Sequence, residues 1–130
     1  MKNLSQIVTN GLQAVISHPG HDEKQIAHYF SPDYQQIVDG HHLDYAQFVQ
    51  HLAALKSHTS QMEVYVKALA TEEDTVFTHH SVAVEKSSGD KSEFEVFARF
   101  TLAAGKIIRC EELTRMVSGT ADDRDLGSRK

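Results

Sequence analysis

The sequence predicts an α+β fold, one antiparallel sheet covering its apolar face with helices, and three observations carry that reading. Residues 94–114 read as two long strands joined by a short turn at Gly105. Two further strand-like runs, residues 61–70 and 75–86, stand before them, and three helix-like segments come earlier still. The 130 residues suit one domain and one core, with no internal repeat or linker. That domain is expected to span residues 1–118. Residues 119–130 form a charged tail with a single Leu, expected to be weakly ordered or to pack only locally.

Residues 3–17 read as an amphipathic helix, because Leu4, Ile7, Val8, Leu12, Val15 and Ile16 fall on one stripe. Gly11 weakens it slightly, and His18-Pro19-Gly20 ends it. Asp22 opens a second, shorter helix with capping-box spacing to Gln25 and an apolar stripe of Ile26, Tyr29 and Phe30. Ser31-Pro32-Asp33 stops that helix, residues 34–38 are a short strand, and Asp39-Gly40 is a turn signal. Asp44 carries the clearest local code: a capping box with Gln47, and a hydrophobic staple between Leu43 and Phe48. Tyr45, Phe48, Val49, Leu52 and Leu55 then mark one face of the third helix. Met62, Val64, Val66 and Ala68 share one face of the next strand, and Glu73-Asp74 turns into residues 75–86. Ser87-Ser88-Gly89-Asp90 is a hairpin loop, and residues 94–102 and 106–117 complete the sheet.

Composition narrows the function classes. A net charge of −5 argues against a nucleic-acid surface, and no apolar run approaches a membrane span. The N-terminal stretch lacks the pattern of a secretory signal, so the expected address is the cytoplasm. Cys110 is the only cysteine and reads as a small apolar strand residue. The nine histidines invite a metal, but His41-His42 and His79-His80 are adjacent pairs whose members point to opposite strand faces. No metal and no cofactor is expected, since a Gly-rich phosphate loop is also missing. His51 and His58 are expected to be solvated.

The element order resembles the nuclear transport factor 2-like superfamily. Tyr29-Phe30-Ser31-Pro32-Asp33-Tyr34 is similar to its entry into the first strand. Asp39-Gly40 with Leu43-Asp44-Tyr45-Ala46-Gln47-Phe48 is similar to its turn into the third helix. Gly105-Lys106-Ile107-Ile108, followed by Glu111-Glu112-Leu113-Thr114-Arg115, resembles its last hairpin. The likeness covers roughly residues 4–118 and is nearest to SnoaL-like, ketosteroid isomerase-related bacterial proteins. It implies a cone-shaped, curved antiparallel sheet wrapped around helices, the cystatin-like α+β barrel, with a cavity beneath the third helix. It also implies a small-molecule pocket protein: an isomerase, dehydratase or cyclase acting on a hydrophobic carbonyl compound, or a non-catalytic binding or accessory domain. The isomerases' general-base Asp lies on the strand before the last hairpin. Residues 94–102 carry none, which points away from steroid isomerisation.

Strand parity then sorts the candidates. Phe94, Val96, Ala98 and Phe100 form the apolar row expected to face a ligand. On residues 75–86, Val76, Thr78, His80, Val82 and Val84 form the more apolar row, which turns His80 inward. For the last strand the resemblance places Ile108, Cys110, Glu112 and Thr114 inward. The residues alone leave that phase open, because Ile107 and Leu113 also suit the inside, and Glu111 competes with Glu112. Glu112 and His80 are the candidate acid–base pair, with Tyr34 and His42 as rim residues that hold a ligand oxygen. The opposite row, Glu93, Glu95, Phe97 and Arg99, is the expected homodimer face, with Phe97 as anchor and Glu95 and Arg99 pairing across the two-fold.

Overall fold

The computed structural model describes residues 3–119; the expected charged tail beyond Gly119 lies outside the described residues. Helix α1, Leu4–Leu12, is capped by Asn3, whose side chain accepts from the Gln6 N–H. It runs on as a π-helical turn, Gln13–Ser17, where the sequence suggested one uniform helix. That turn has a visible role. Gln13 Nε2 donates to the Val64 carbonyl at 3.0 Å, and the Val64 N–H donates to Ser17 Oγ at 3.1 Å. Both polar backbone groups of an edge-strand residue are thereby satisfied, which blunts the edge. Gly11 is buried where α1 meets the second helix, and a Cβ there would lie 3.3 Å from Tyr29 Cβ.

Helix α2, Glu23–Tyr29, is capped by the Asp22 carboxylate, which accepts from the Lys24 and Gln25 N–H groups. Strand β1, Phe30–Val38, starts earlier than its expected position at Tyr34. Pro32 does not precede the strand; it sits inside it, where the ladder breaks between Phe30 and Gln35. Proline has no N–H for a ladder bond, so the break falls there. Asp39 and Gly40, with φ of 50° and 86°, make a tight hairpin turn into β2, His41–Asp44. At four residues β2 is too short to show periodicity, and the sequence reading had no strand there.

Helix α3, Tyr45–His58, has the full capping box: Asp44 Oδ1 accepts from the Gln47 N–H at 2.9 Å, and Gln47 Oε1 accepts from the Asp44 N–H at 3.0 Å. Lys56 on α3 donates to the carbonyls of His18 and Gly20, tying the loop after the π turn to this helix. Four long strands follow: β3, Thr59–Glu72; β4, Thr75–Lys86; β5, Lys91–Ala103; and β6, Lys106–Ser118. The curved sheet has the order β2-β1-β6-β5-β4-β3. It is mixed where a wholly antiparallel sheet was expected, because β1 pairs with β6 in parallel. Its inner face packs on the helices through Val8, Leu12, Val15, Ile26, Phe48 and Leu52. Among the described residues no helix is long and apolar enough to cross a membrane.

One irregularity resolves the open phase of β6. The β5–β6 ladder shifts between Thr101 and Leu102, leaving Ile108 as an extra residue opposite the Thr101/Leu102 step. Ile107 is therefore buried beside Leu102, while Cys110 is buried beside Phe100. The resemblance named Ile108 as inward; the bulge gives that position to Ile107 and restores the expected parity from Cys110 onward. Leu113, the other inside candidate, is 69% exposed.

Candidate functional site

The registers place the inward side chains in rows that cross the sheet. Val66, His80, Val96 and Thr114 form one row, and Thr78, Ala98, Glu112 and Val38 the next. Val76, Phe100, Cys110 and Gln36 form a third. Between these rows and α1, the π turn and α3 lies a cavity of ≈ 110 Å³. Tyr34, His80, Phe94, Val96, Phe100, Cys110 and Glu112 all line it. Ala98 is buried in the same sheet face but is not among the lining residues.

His42 is not brought to this site. Its register partner is Ile37, which pairs with Glu111 on the opposite sheet face; the inward residue of β2 is Leu43, opposite Gln36. A shift of one position along a strand changes the face, and His42 is one position off. His51 needs the reverse correction. It lies within α3, is 5% exposed and lines the cavity, whereas the sequence reading left it in solvent. A signal was available, since His51 stands three residues after Phe48 and four before Leu55, on the apolar stripe. His58 is exposed, as expected.

The polar groups gather on the β1/β6 side. Cys110 Sγ donates to Glu112 Oε2 at 3.6 Å, and Thr114 Oγ1 donates to Glu112 Oε1 at 3.4 Å. Burial pushes the Glu112 carboxyl up to about 7, helped by the Asp39 carboxylate; the Cys110 and Thr114 donors pull the other way. Asp39 grips β6 at Glu112 and at Thr114. Its N–H donates to the Glu112 carbonyl at 3.0 Å, and its Oδ1 accepts from the Thr114 N–H at 2.9 Å. Beside them Tyr34 Oη donates to Gln36 Oε1 at 2.8 Å. Burial raises both the Tyr34 phenol and the Cys110 thiol, so Tyr34 stays a neutral donor and Cys110 a thiol. Gln36, absent from the sequence reading, follows Tyr34 by two positions and shares its face.

His80 faces this wall from two strands away, about 10 Å between backbones at the usual strand spacing. Its Nδ1 lies 2.8 Å from Thr78 Oγ1. Burial, with His79 nearby, pulls His80 down to about 4, so the ring is neutral at neutral pH. Glu112 and His80 thus address the cavity from different sides. Apart from His51 on α3, the rest of the described lining is apolar, with Leu12, Val15, Phe48, Leu52 and Val82 among its residues.

A model of the SnoaL-like domain matches residues 14–110. The chain belongs to the SnoaL-like family. An uncharacterised protein of the fission yeast Schizosaccharomyces pombe is 32% identical over 107 residues, 82% of each chain. This SnoaL-like chain therefore has a eukaryotic relative, and the expected restriction to bacteria is not supported. Solved structures share the fold at low identity. The candidate polyketide cyclase IdmH of Streptomyces antibioticus aligns with TM-score 0.75 at 13% identity, over 87% of this chain and 92% of that one. An epoxide hydrolase of M. tuberculosis aligns with TM-score 0.72 at 15% identity, over 96% and 88%. A de novo designed protein with a curved β-sheet aligns with TM-score 0.64 at 19% identity, over 97% and 93%. One architecture hosts these different proteins, so the activity of a SnoaL-like chain has to be argued from its own cavity.

Proposed function

We propose that this protein binds a hydrophobic carbonyl-type molecule in the cavity and that Glu112 moves a proton on it. The supporting observation is that, among the described lining residues, Glu112 is the one carboxyl, with the Cys110 thiol and the Thr114 hydroxyl as the hydrogen-bond donors to its oxygens. Such a carboxyl, at about 7, is base and acid in comparable amounts at neutral pH, which suits reversible proton transfer. In the step, the Cα–H bond of the ligand breaks and its proton goes to the Glu112 carboxylate. The electron pair moves into a C=C bond as the carbonyl becomes an enolate, and Glu112 returns the proton at the same or another carbon. A carbonyl oxygen beside Tyr34 would compete with Gln36 for the phenolic hydrogen and gain a donor as charge develops. Neutral His80 orients the ligand from the opposite side.

The test is exchange of ligand α-protons in deuterated water, followed by NMR over a panel of ketones. The expected result is acceleration by the wild type that falls at least about 100-fold in Glu112→Gln, the low end for a general base. Equal exchange by both proteins would overturn the role of Glu112.

The second reading is a non-catalytic binding or accessory dimer. It is favoured by the outer sheet face, where Tyr65, Phe77, Phe97 and Leu113 are each about half exposed or more. Phe97 stacks on His79 at 4.3 Å between ring centres and pairs across β6 with Leu113. The expected pairing of Glu95 with Arg99 across a two-fold meets competition, because both have partners within the chain. Glu95 holds His79 and Arg115, and Arg99 holds Glu111. The apolar patch itself, ringed by these ion pairs, is the surface proposed to meet a second copy.

A further inference from the structure

Three features of the cavity restrict what can enter it. The first is size. A volume of ≈ 110 Å³ is below the roughly 300–1,000 Å³ of pockets that enclose drug-sized ligands. It is nearer the ~150 Å³ that accommodates benzene. The second is charge. Among the described lining residues there is no Lys or Arg, and of the two histidines there, His51 and His80, burial keeps the His80 ring neutral. Burying a carboxylate or phosphate beside Glu112 without a cation would be strongly unfavourable. The third is zoning. Hydrogen-bonding groups cluster at Tyr34, Gln36, Cys110, Glu112 and Thr114, and His80 stands beside Val96, whereas Val82 and Phe94 offer only hydrocarbon farther along the sheet.

We infer that the ligand is an uncharged molecule of about six to eight non-hydrogen atoms, with one hydroxyl or carbonyl oxygen set at Glu112 and a hydrocarbon body over Val96 and Phe94. The inference rests on the reading of this cavity as a ligand site, and it narrows that reading. Polycyclic frames, such as polyketide or steroid skeletons, exceed the space. The far end is lined by Met62, Val84 and Phe94, a small cluster packed with Ile16, Leu55 and Met116. Met62 makes this end the place where the size limit is set, because a thioether chain fills irregular gaps and its truncation opens them.

Binding to the intact chain, read by NMR shifts of backbone and methyl signals, decides the matter. The probes are cyclohexanone, cyclohexanol, cyclohexanecarboxylate, cyclohexylamine, 2-decalone and a four-ring ketone. The expected result is binding of the two neutral monocycles with dissociation constants on the order of 0.1–1 mM, reasonable for so few atoms. Shifts should centre on Val96, Phe94 and Thr114. The carboxylate, the amine and the larger ketones should bind at least about tenfold more weakly, for want of a counter-charge or of space. Met62→Ala should keep cyclohexanone binding, which shows the variant is folded, and gain 2-decalone. Preference for a charged or polycyclic probe would overturn the inference and leave the ligand-site reading standing. No shift with any probe would overturn both.

Discussion

Replacing Glu112 by Gln should make the protein more stable at alkaline pH, and the structure gives the size of the gain. The carboxyl rises from 4.5 to about 7 on folding, with burial as the leading cause. Between those pH values the folded protein holds a proton that the unfolded chain releases. Stability therefore falls as pH rises through this window, and the whole cost is present above pH 7. At about 1.4 kcal/mol per pH unit the rise amounts to about 3 kcal/mol. Partial solvent access at Glu112 lowers that to about 2–3 kcal/mol. Gln keeps the side-chain shape without the charge, so Glu112→Gln should gain this amount at pH 8.5, and the gain should shrink steadily toward pH 4.5. His80 has the opposite sign. Held at about 4 when folded against 6.5 unfolded, it supports stability above pH 6.5 that is lost as pH falls. That slope is common to both proteins and cancels in their difference, because His80 lies two strands from Glu112. Urea unfolding of both proteins at several pH values between 4.5 and 8.5 gives the difference directly. A difference that does not change with pH, or a variant less stable at pH 8.5, would refute a buried carboxyl kept near neutrality.

Three other outcomes are expected. Asp39→Asn keeps an acceptor for the Thr114 N–H but removes a like charge, so Glu112 should titrate lower than in the wild type. Carbon-13 NMR of the Glu112 carboxyl reads this, and an unmoved titration would mean that Asp39 acts only as a clamp. Asp44→Ala should cost about 1 kcal/mol in urea unfolding, the usual loss for a good N-cap; no loss would mean the capping box adds nothing to the fold. Phe97→Asp should disfavour the proposed dimer by several kcal/mol, about the cost of a desolvated unpaired charge. Light scattering that finds a wild-type monomer at tens of micromolar would remove the dimer, and an unchanged dimer in the variant would move its interface elsewhere.

Much of this fold was legible because its signals are local. Asp22 and Asp44 cap the helices they were expected to cap, and Asp39-Gly40 makes the turn that the pair suggests. The β4 boundaries follow from alternation bounded by turn residues. What was hidden depends on partners distant in sequence. The parallel pairing of β1 with β6 joins residues more than 70 positions apart, and β2 exists only because β1 lies beside it. Pro32 was read as a boundary because its missing N–H usually ends a pairing; here β1 runs through it by leaving the ladder. His51 was misread from its polarity, although its spacing placed it with Phe48 and Leu55.

The site itself turns on a single extra residue. From the Ala104-Gly105 turn, strict alternation that begins with buried Ile107 would carry Arg109, Glu111 and Leu113 into the cavity. One cation, one anion and a Leu would then form the wall, and Glu112 would face outward. The bulge at Ile108 prevents this by letting Ile107 and Cys110 both point inward. Glu111 is left on the outer face with Arg99 and Arg109, which hold its carboxyl below the usual range. Glu112 is left inside, with no Arg or Lys among the described lining residues, and is pushed up. Two neighbouring glutamates of identical intrinsic chemistry thus acquire opposite tendencies, one ionised in an ion-pair cluster and one poised near neutrality. The difference between an ion-paired carboxylate and the one proposed to transfer a proton lies in the register of β6 against β5.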